Sequence, residues 1–192
     1  MSRRPLLSDE AIAAFREIRF TDALAAECLE RGYRATTISH VVARARTSRN
    51  TVYKSFPNKE AILLALVERV LADVERRVDL ACEVAGDDPH DRVEAGLGVV
   101  LDWVAADPAA ANAVLVEAPT IESAFERQSV AISGYVERLG RCLPASFPRS
   151  EVVEGMRIEG VVAILRRQVV AGEAVIAPTL LPALFGFLTD GR

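Results

Sequence analysis

From Ile12 to Leu188 the apolar residues of this chain return every three or four positions, and nowhere do they alternate one by one over a sustained stretch. That periodicity selects amphipathic helices and leaves no segment patterned as a strand, so the expected fold is all-α. A compact chain of 192 residues hides roughly 70% of the surface it exposes when unfolded, enough for a real core without crosslinks. Cys28, Cys82 and Cys142 are widely spaced, form no Cys-x-x-Cys pair and have no clustered histidines. A disulfide framework and a zinc site are therefore not expected, and a reduced setting is the simplest reading. Met1–Leu7 lacks the long apolar stretch of a signal peptide, and no run approaches eighteen apolar residues. The expectation is a cytoplasmic protein that does not enter a membrane.

Caps and breakers divide the helical pattern. Ser8 opens a helix through Ile12, Phe15, Phe20 and Leu24 that stops at Gly32. Thr36-Thr37 offer a cap for a short helix from Ile38 to about Ala45. Arg46-Thr47 form a tight break, and Ser48 caps a third helix that ends before Pro57. Asn58 starts a much longer helix with Ile62, Leu63, Leu66, Val67, Val70, Val74 and Val78 on one face, ending at Gly86. Beyond it the punctuation predicts helices over 89–106, 108–118, 120–142, 150–172 and 178–188, nine in all. Pro144 and Pro148 enclose a loop.

Charge follows a different division. Residues 1–60 carry eleven Arg or Lys against seven Asp or Glu, a net +4, and the remainder carries twelve against twenty, a net −8. Between Arg31 and Lys59 seven cations stand without a single carboxylate. The domain expectation is a basic module at 1–60 on an acidic helical body at 61–192. A cationic run is ordinarily a solvated face; here it coincides with two short capped helices around a tight break. That arrangement is the helix-turn-helix device, whose second helix enters the DNA major groove.

The residues Gly32-Tyr33, Ala35-Thr36-Thr37-Ile38, Ser48-Arg49-Asn50-Thr51-Val52-Tyr53 and Phe56-Pro57-Asn58-Lys59-Glu60-Ala61-Ile62-Leu63 resemble the DNA-binding domain of tetracycline-repressor (TetR) type bacterial regulators. The resemblance covers about Phe20 to Leu66. Val42 stands where the family usually has a small Ala, Arg46 where it has a Gly, and Thr47 where it has an apolar residue. The Gly normally relieves a turn residue at positive φ, so a non-Gly residue there costs about 1 kcal/mol, and Arg46 offers an extra phosphate contact in return. Thr37, Ser48 and Lys59 suit phosphates, the hydroxyls by sitting at helix starts. Tyr53 resembles the family's phosphate- or methyl-contacting tyrosine. Arg49, Asn50 and Lys54 are the candidate base readers, with Ser39 within reach from the preceding helix and Thr51 beside them. Val52 and Phe56 should point inward. Arg3-Arg4 read as a solubilising tail, with a minor-groove arm as the alternative.

The last two helices are apolar almost all round, from Val152 to Val170 and from Leu180 to Leu188. A second copy of the chain covers such a face most economically, which predicts a homodimer through about 150–188, two recognition helices one helical turn or a multiple apart, and a palindromic double-stranded operator. The family resemblance further implies a small-molecule effector pocket between the long fourth helix and the three helices after it. Trp103, Phe125 and Met156 are large enough to line it and Gln128 adds a polar group, although such residues are also ordinary core or surface. The functional expectation is a ligand-responsive dimeric regulator, a repressor by family default. A constitutive architectural DNA-binding protein without effector and a helical protein-interaction module are the alternatives. No paired carboxylates, nucleophile elbow, phosphate loop or metal spacing is present, and neither His40 nor His90 stands in a triad spacing, so no enzyme, catalytic residue, metal or cofactor is expected.

Overall fold

The computed structural model describes residues 8–142 and 151–189. The Arg3-Arg4 pair, the Pro144–Pro148 loop and Ser150 lie outside the described residues. Within them the chain forms nine α-helices and no strand: α1 (Asp9–Ala35), α2 (Ile38–Arg44), α3 (Arg49–Ser55), α4 (Lys59–Val84), α5 (Pro89–Ala106), α6 (Pro108–Asn112), α7 (Glu122–Cys142), α8 (Glu151–Val170) and α9 (Leu181–Thr189). Among the described residues no single helix is long and apolar enough to cross a membrane.

The helix starts expected at Ser8 and Asn58 are capped by those side chains, and Asp107 adds a further cap. Ser8 accepts from the Ala11 N–H, Asn58 from Ala61 and Asp107 from Ala110, each satisfying a donor the helix start leaves open. Gly32, at φ 77°, breaks the regular course of α1, and one further turn closes on it through the Thr36 N–H and hydroxyl, both donating to Gly32 O. In the head, Phe20 and Leu24 from α1, Val41 from α2, and Val52 and Phe56 around α3 are buried, with the Phe20 and Phe56 rings packed edge to face. One continuous apolar core runs from these residues through the α4 stripe into the body. There α4 packs on α5 and α7, α8 lies on α7, α9 lies against α5 and α8, and α6 rests on α1.

Two expected helices end or start elsewhere. The segment predicted as one helix over 108–118 is α-helical only to Asn112. It widens into a π-turn at Ala113–Glu117 and then tightens into a 3₁₀ turn at Ala118–Thr120. Pro119 is the cause: without an N–H it cannot serve the carbonyls one turn behind it. The Ala118 N–H reaches back to Ala113 O, while Val114 O and Leu115 O accept instead from Gln128 Nε2 (3.1 Å) and Arg166 Nε (2.7 Å). The last helix starts at Leu181 rather than Pro178, which sits inside a 3₁₀ turn at Ala174–Leu180.

Arg46 occupies the left-handed region at φ 48°, the one non-glycine residue there among those described. The Arg46 N–H donates to Ala43 O (3.2 Å) and the Thr47 N–H to Val42 O (3.1 Å), the paired bonds of a Schellman stop with arginine at the glycine position. Arg46→Gly should therefore raise thermal stability by about 1 kcal/mol, the left-handed cost removed being larger than the flexibility added to the unfolded chain. A melting temperature that falls instead would show that the arginine side chain compensates its backbone.

Candidate nucleic-acid interface and effector cavity

The head presents α3 outward. Val52 and Phe56 face the core, which turns Arg49, Asn50, Tyr53 and Lys54 to solvent, Tyr53 with 51% of its surface exposed. Ser48 accepts from the Thr51 N–H (3.1 Å) and its hydroxyl also meets that of Thr51 (2.8 Å). Thr37 caps α2 reciprocally with His40: the His40 N–H donates to Thr37 Oγ1 and the Thr37 N–H to His40 Nδ1. Ser39 accepts from Arg49 Nη2 across the turn, which couples the candidate reader on α3 to the one on α2.

The acid-free run is only partly free charge. Glu27 of α1 is buried, with Arg44 Nε 2.6 Å from one carboxylate oxygen and Arg31 Nε 2.7 Å from the other. Arg31 and Arg44 both also reach Glu30. Burial pushes the Glu27 carboxyl up, but the Arg44 hydrogen bond and the two guanidinium charges outweigh it and hold the group below its ordinary range. This node fastens α2 onto α1. Lys59 is also engaged: its Nζ donates to Tyr33 O (2.6 Å) and Thr36 O (2.7 Å) and stands 3.9 Å over the Tyr33 ring. It thus adds a donor at the C-terminal carbonyls of α1 from the first turn of α4. Of the seven cations in the run, Arg34, Arg46, Arg49 and Lys54 have no acidic partner among the described residues and are exposed.

A cavity of about 160 Å³ opens between α4, α5, α7 and α8. Val70, Val74, Val78, Val93, Leu97, Trp103, Val162 and Leu165 line it, together with Val114 and Leu115 of the π-turn. Of the four residues considered for a pocket, Trp103 and Gln128 are on this wall. Gln128 is buried and its amide nitrogen is spent on Val114 O, so it holds the π-turn. Phe125 (52% exposed) and Met156 (68% exposed) stand on the outer faces of α7 and α8, away from the cavity. Reasoning from sequence missed Arg92, Tyr135 and Arg138, which also line it. The signal for Tyr135 was present, since it lies seven residues after Gln128 and so on the same helical face. The Arg138 guanidinium pairs with Glu75 and with Asp79 (3.0 Å), whereas Arg92 Nε and the Tyr135 hydroxyl are buried with no hydrogen-bond partner among the described residues. Burial first, then the Glu75 charge beside it, raises the Tyr135 hydroxyl to about 12 and keeps it neutral.

On the outside of the body, Val152, Met156, Ala163 and Val170 are exposed on one side of α8, interleaved with exposed Glu159 and Arg167, and Phe187 of α9 is exposed beside them. Gly160 lets Phe187 approach: a Cβ there would lie 3.1 Å from the ring. The Glu117 carboxylate at the end of the π-turn faces Gly32, where an added Cβ would sit 3.6 Å away, so the cavity wall ends against the head.

Residues 20–66 match the model of the bacterial regulatory proteins, tetR family. The HTH-type transcriptional repressor KstR of Mycolicibacterium smegmatis is 28% identical over 135 residues, 70% of this chain; the match spans 62% of that repressor's length. Among solved structures, the regulator FadR from Bacillus subtilis in complex with stearoyl-CoA is similar with TM-score 0.80 at 17% identity, covering 91% of this chain and 98% of that one. FadR from Bacillus halodurans has TM-score 0.78 at 16% identity, covering 100% and 98%. At these identities the likeness establishes the fold.

The geometry sets two expectations. Glu27→Gln should cost about 2–3 kcal/mol near neutral pH, because two guanidinium groups lose their buried counter-charge. A depressed folded-state pKa gives stability that is complete above the ordinary carboxylate range and is lost as pH falls through the folded value. The gap between wild type and variant in denaturant titrations should therefore shrink on acidification; a gap independent of pH would contradict this. Lys59→Met, which keeps the stem and removes the donors, should lower stability by about 1–3 kcal/mol in the same titration.

Proposed function

We propose that the chain is a regulator of the bacterial tetR family, whose model matches residues 20–66, and that it is a dimeric transcriptional repressor that holds a palindromic operator through α3 and is released by a small molecule. The observation that carries this is the outward face of α3, where Arg49, Asn50, Tyr53 and Lys54 stand together with no acid beside them. Arg49 and Lys54 suit guanine edges and Asn50 suits adenine. Thr37, Ser48 and Thr51 at the helix starts, Arg46 in the turn, and Tyr53 take phosphates, and Ser39 releases Arg49 to the groove. Lys59 retains a donor beyond its two carbonyls for a backbone phosphate. In this reading residues 1–60 are the DNA-binding part and 61–192 the effector and dimer part, with α4 passing from one to the other.

The exposed apolar residues Val152, Met156 and Val170 of α8 and Phe187 of α9, with Glu159 and Arg167 among them, support pairing with a second copy over about 150–188, which would set two recognition helices for grooves 34–36 Å apart or a multiple of that. The cavity favours an effector-controlled protein over a constitutive architectural one, because it exposes an apolar wall that no side chain of the fold fills. KstR is named a repressor, which favours repression, and the stearoyl-CoA held by FadR favours an effector with an apolar portion.

Selection of bound DNA from a random pool should return an inverted repeat. On that site Arg49→Ala should cost about 1–3 kcal/mol and relax one position, while Lys54→Ala should cost as much at another. If Lys59 reaches phosphate, Lys59→Met lowers the slope of log affinity against log salt by about one. Met156→Asp should yield a monomer in sedimentation at micromolar concentration and lose the cooperative grip on both half-sites. Recovery of unrelated sequences without symmetry would overturn the operator reading.

A further inference from the structure

Of the four outward residues of α3, only Arg49 is tied down. Its Nη2–H donates to Ser39 Oγ on α2, whereas Asn50, Tyr53 and Lys54 form no side-chain hydrogen bond among the described residues. The bond spans the turn that carries Arg46. Its acceptor stands on a fixed base: α2 is closed at its start by Thr37 and His40, and fastened near its end by Arg44 to the buried Glu27 of α1. A long side chain with much rotamer freedom to lose is thus anchored to a short one with little.

The shape of the guanidinium decides what this tie leaves free. Its N–H donors lie in one plane and make two parallel pairs, Nε with Nη2 along one edge and Nη1 with Nη2 along the other. Each Nη2 hydrogen belongs to one pair only. A single bond from Nη2 to Ser39 therefore occupies one pair and leaves the other complete, so release of Arg49 to the groove does not require the bond to break. Ser39 Oγ, accepting here, keeps its own O–H to give. Together the two side chains offer donors alone, and in the major groove guanine is the base that sets two acceptors, N7 and O6, side by side.

Resting on the operator reading above, we propose that Ser39 is a positioning residue for Arg49: by retaining one Nη2–H it presents the remaining pair of donors to a single guanine, and the operator's guanine preference at that position depends on it. Arg49 is then pre-organised before DNA arrives. It is also kept from swinging to a phosphate, where it would add affinity for any sequence alike. The preference belongs to two side chains, one on α2 and one on α3.

The full-length protein is tested on the operator recovered from a random pool, with each half-site position substituted in turn. Arg49→Ala identifies its base pair as the one whose substitution ceases to matter. At that pair, replacing guanine by adenine should weaken the wild type by about ten- to a hundredfold. Ser39→Ala should reduce that ratio by about fivefold, and Ser39→Thr, which keeps the hydroxyl, should restore most of it. In the Arg49→Ala background, Ser39→Ala should leave the ratio unchanged. Ser39 is only half-buried, and equal melting temperatures would show that the variants fold. A purely structural role in α2 would weaken binding to every sequence by one factor and leave the ratio at its wild-type value, which overturns the proposal. An Arg49→Ala protein that keeps every base preference of the wild type overturns it too. A pool that returns no sequence preference sinks the operator reading and this inference with it; a symmetric site whose guanine preference ignores Ser39 removes this inference and leaves the operator reading standing.

Discussion

The Lys59 ammonium rests on the last carbonyls of α1, and the fixing of α4 against the end of α1 depends on that contact. Tyr33 O already accepts from the Thr36 N–H (3.1 Å), and the first residue of α4 donates to it and to Thr36 O from a single nitrogen. The same end of α1 holds α2 through the buried Glu27 carboxylate and its two arginines. Helix α3 is thus positioned by polar ties of α1 at both its neighbours, with the small apolar cluster of Phe20, Val41, Val52 and Phe56 filling the space between. In a three-helix unit of this size such a cluster is thin, and charge-assisted bonds to half-buried groups carry a larger share of the positional precision than they would in a larger core.

The body follows a second constraint, the missing N–H of Pro119. Its absence turns a helix into a π-turn and a 3₁₀ turn, and the two carbonyls left over are taken by side chains from two different helices, Gln128 of α7 and Arg166 of α8. One face of this turn lines the cavity at Val114 and Leu115, and its end meets Gly32 in the head. Two regions that differ in charge and in chemistry are therefore joined through one irregular segment as well as through α4.

Much of this was legible beforehand, for identifiable reasons. Capping residues mark helix starts through local chemistry, so Ser8, Thr37, Ser48 and Asn58 mark starts that the structure keeps, whereas α1 continues one turn past the break at Gly32. The strained turn at Arg46 could be read because only backbone sterics are involved. What could not be read depends on which face of a helix meets which neighbour. Met156 stands two positions from Ile158, and two positions along a helix is the opposite side, so a large residue near the cavity in sequence faces away from it in space. The pairing of Arg31 and Arg44 with Glu27 was partly visible, since Glu27 falls on the apolar stripe of α1 between Leu24 and Cys28, where a lone carboxylate needs a partner.

The opposed charges of the two regions, +4 over residues 1–60 and −8 over the rest, also act before any contact is made. Their separation gives the molecule a permanent electrical polarity, and in the field of a polyanion such a body experiences a torque as well as a pull. It rotates basic end first during approach, and the acidic end is repelled from lying along the same surface. Collisions are thereby filtered by orientation at distances of a Debye length or so, about 10 Å at moderate salt, and the filter weakens as salt is added.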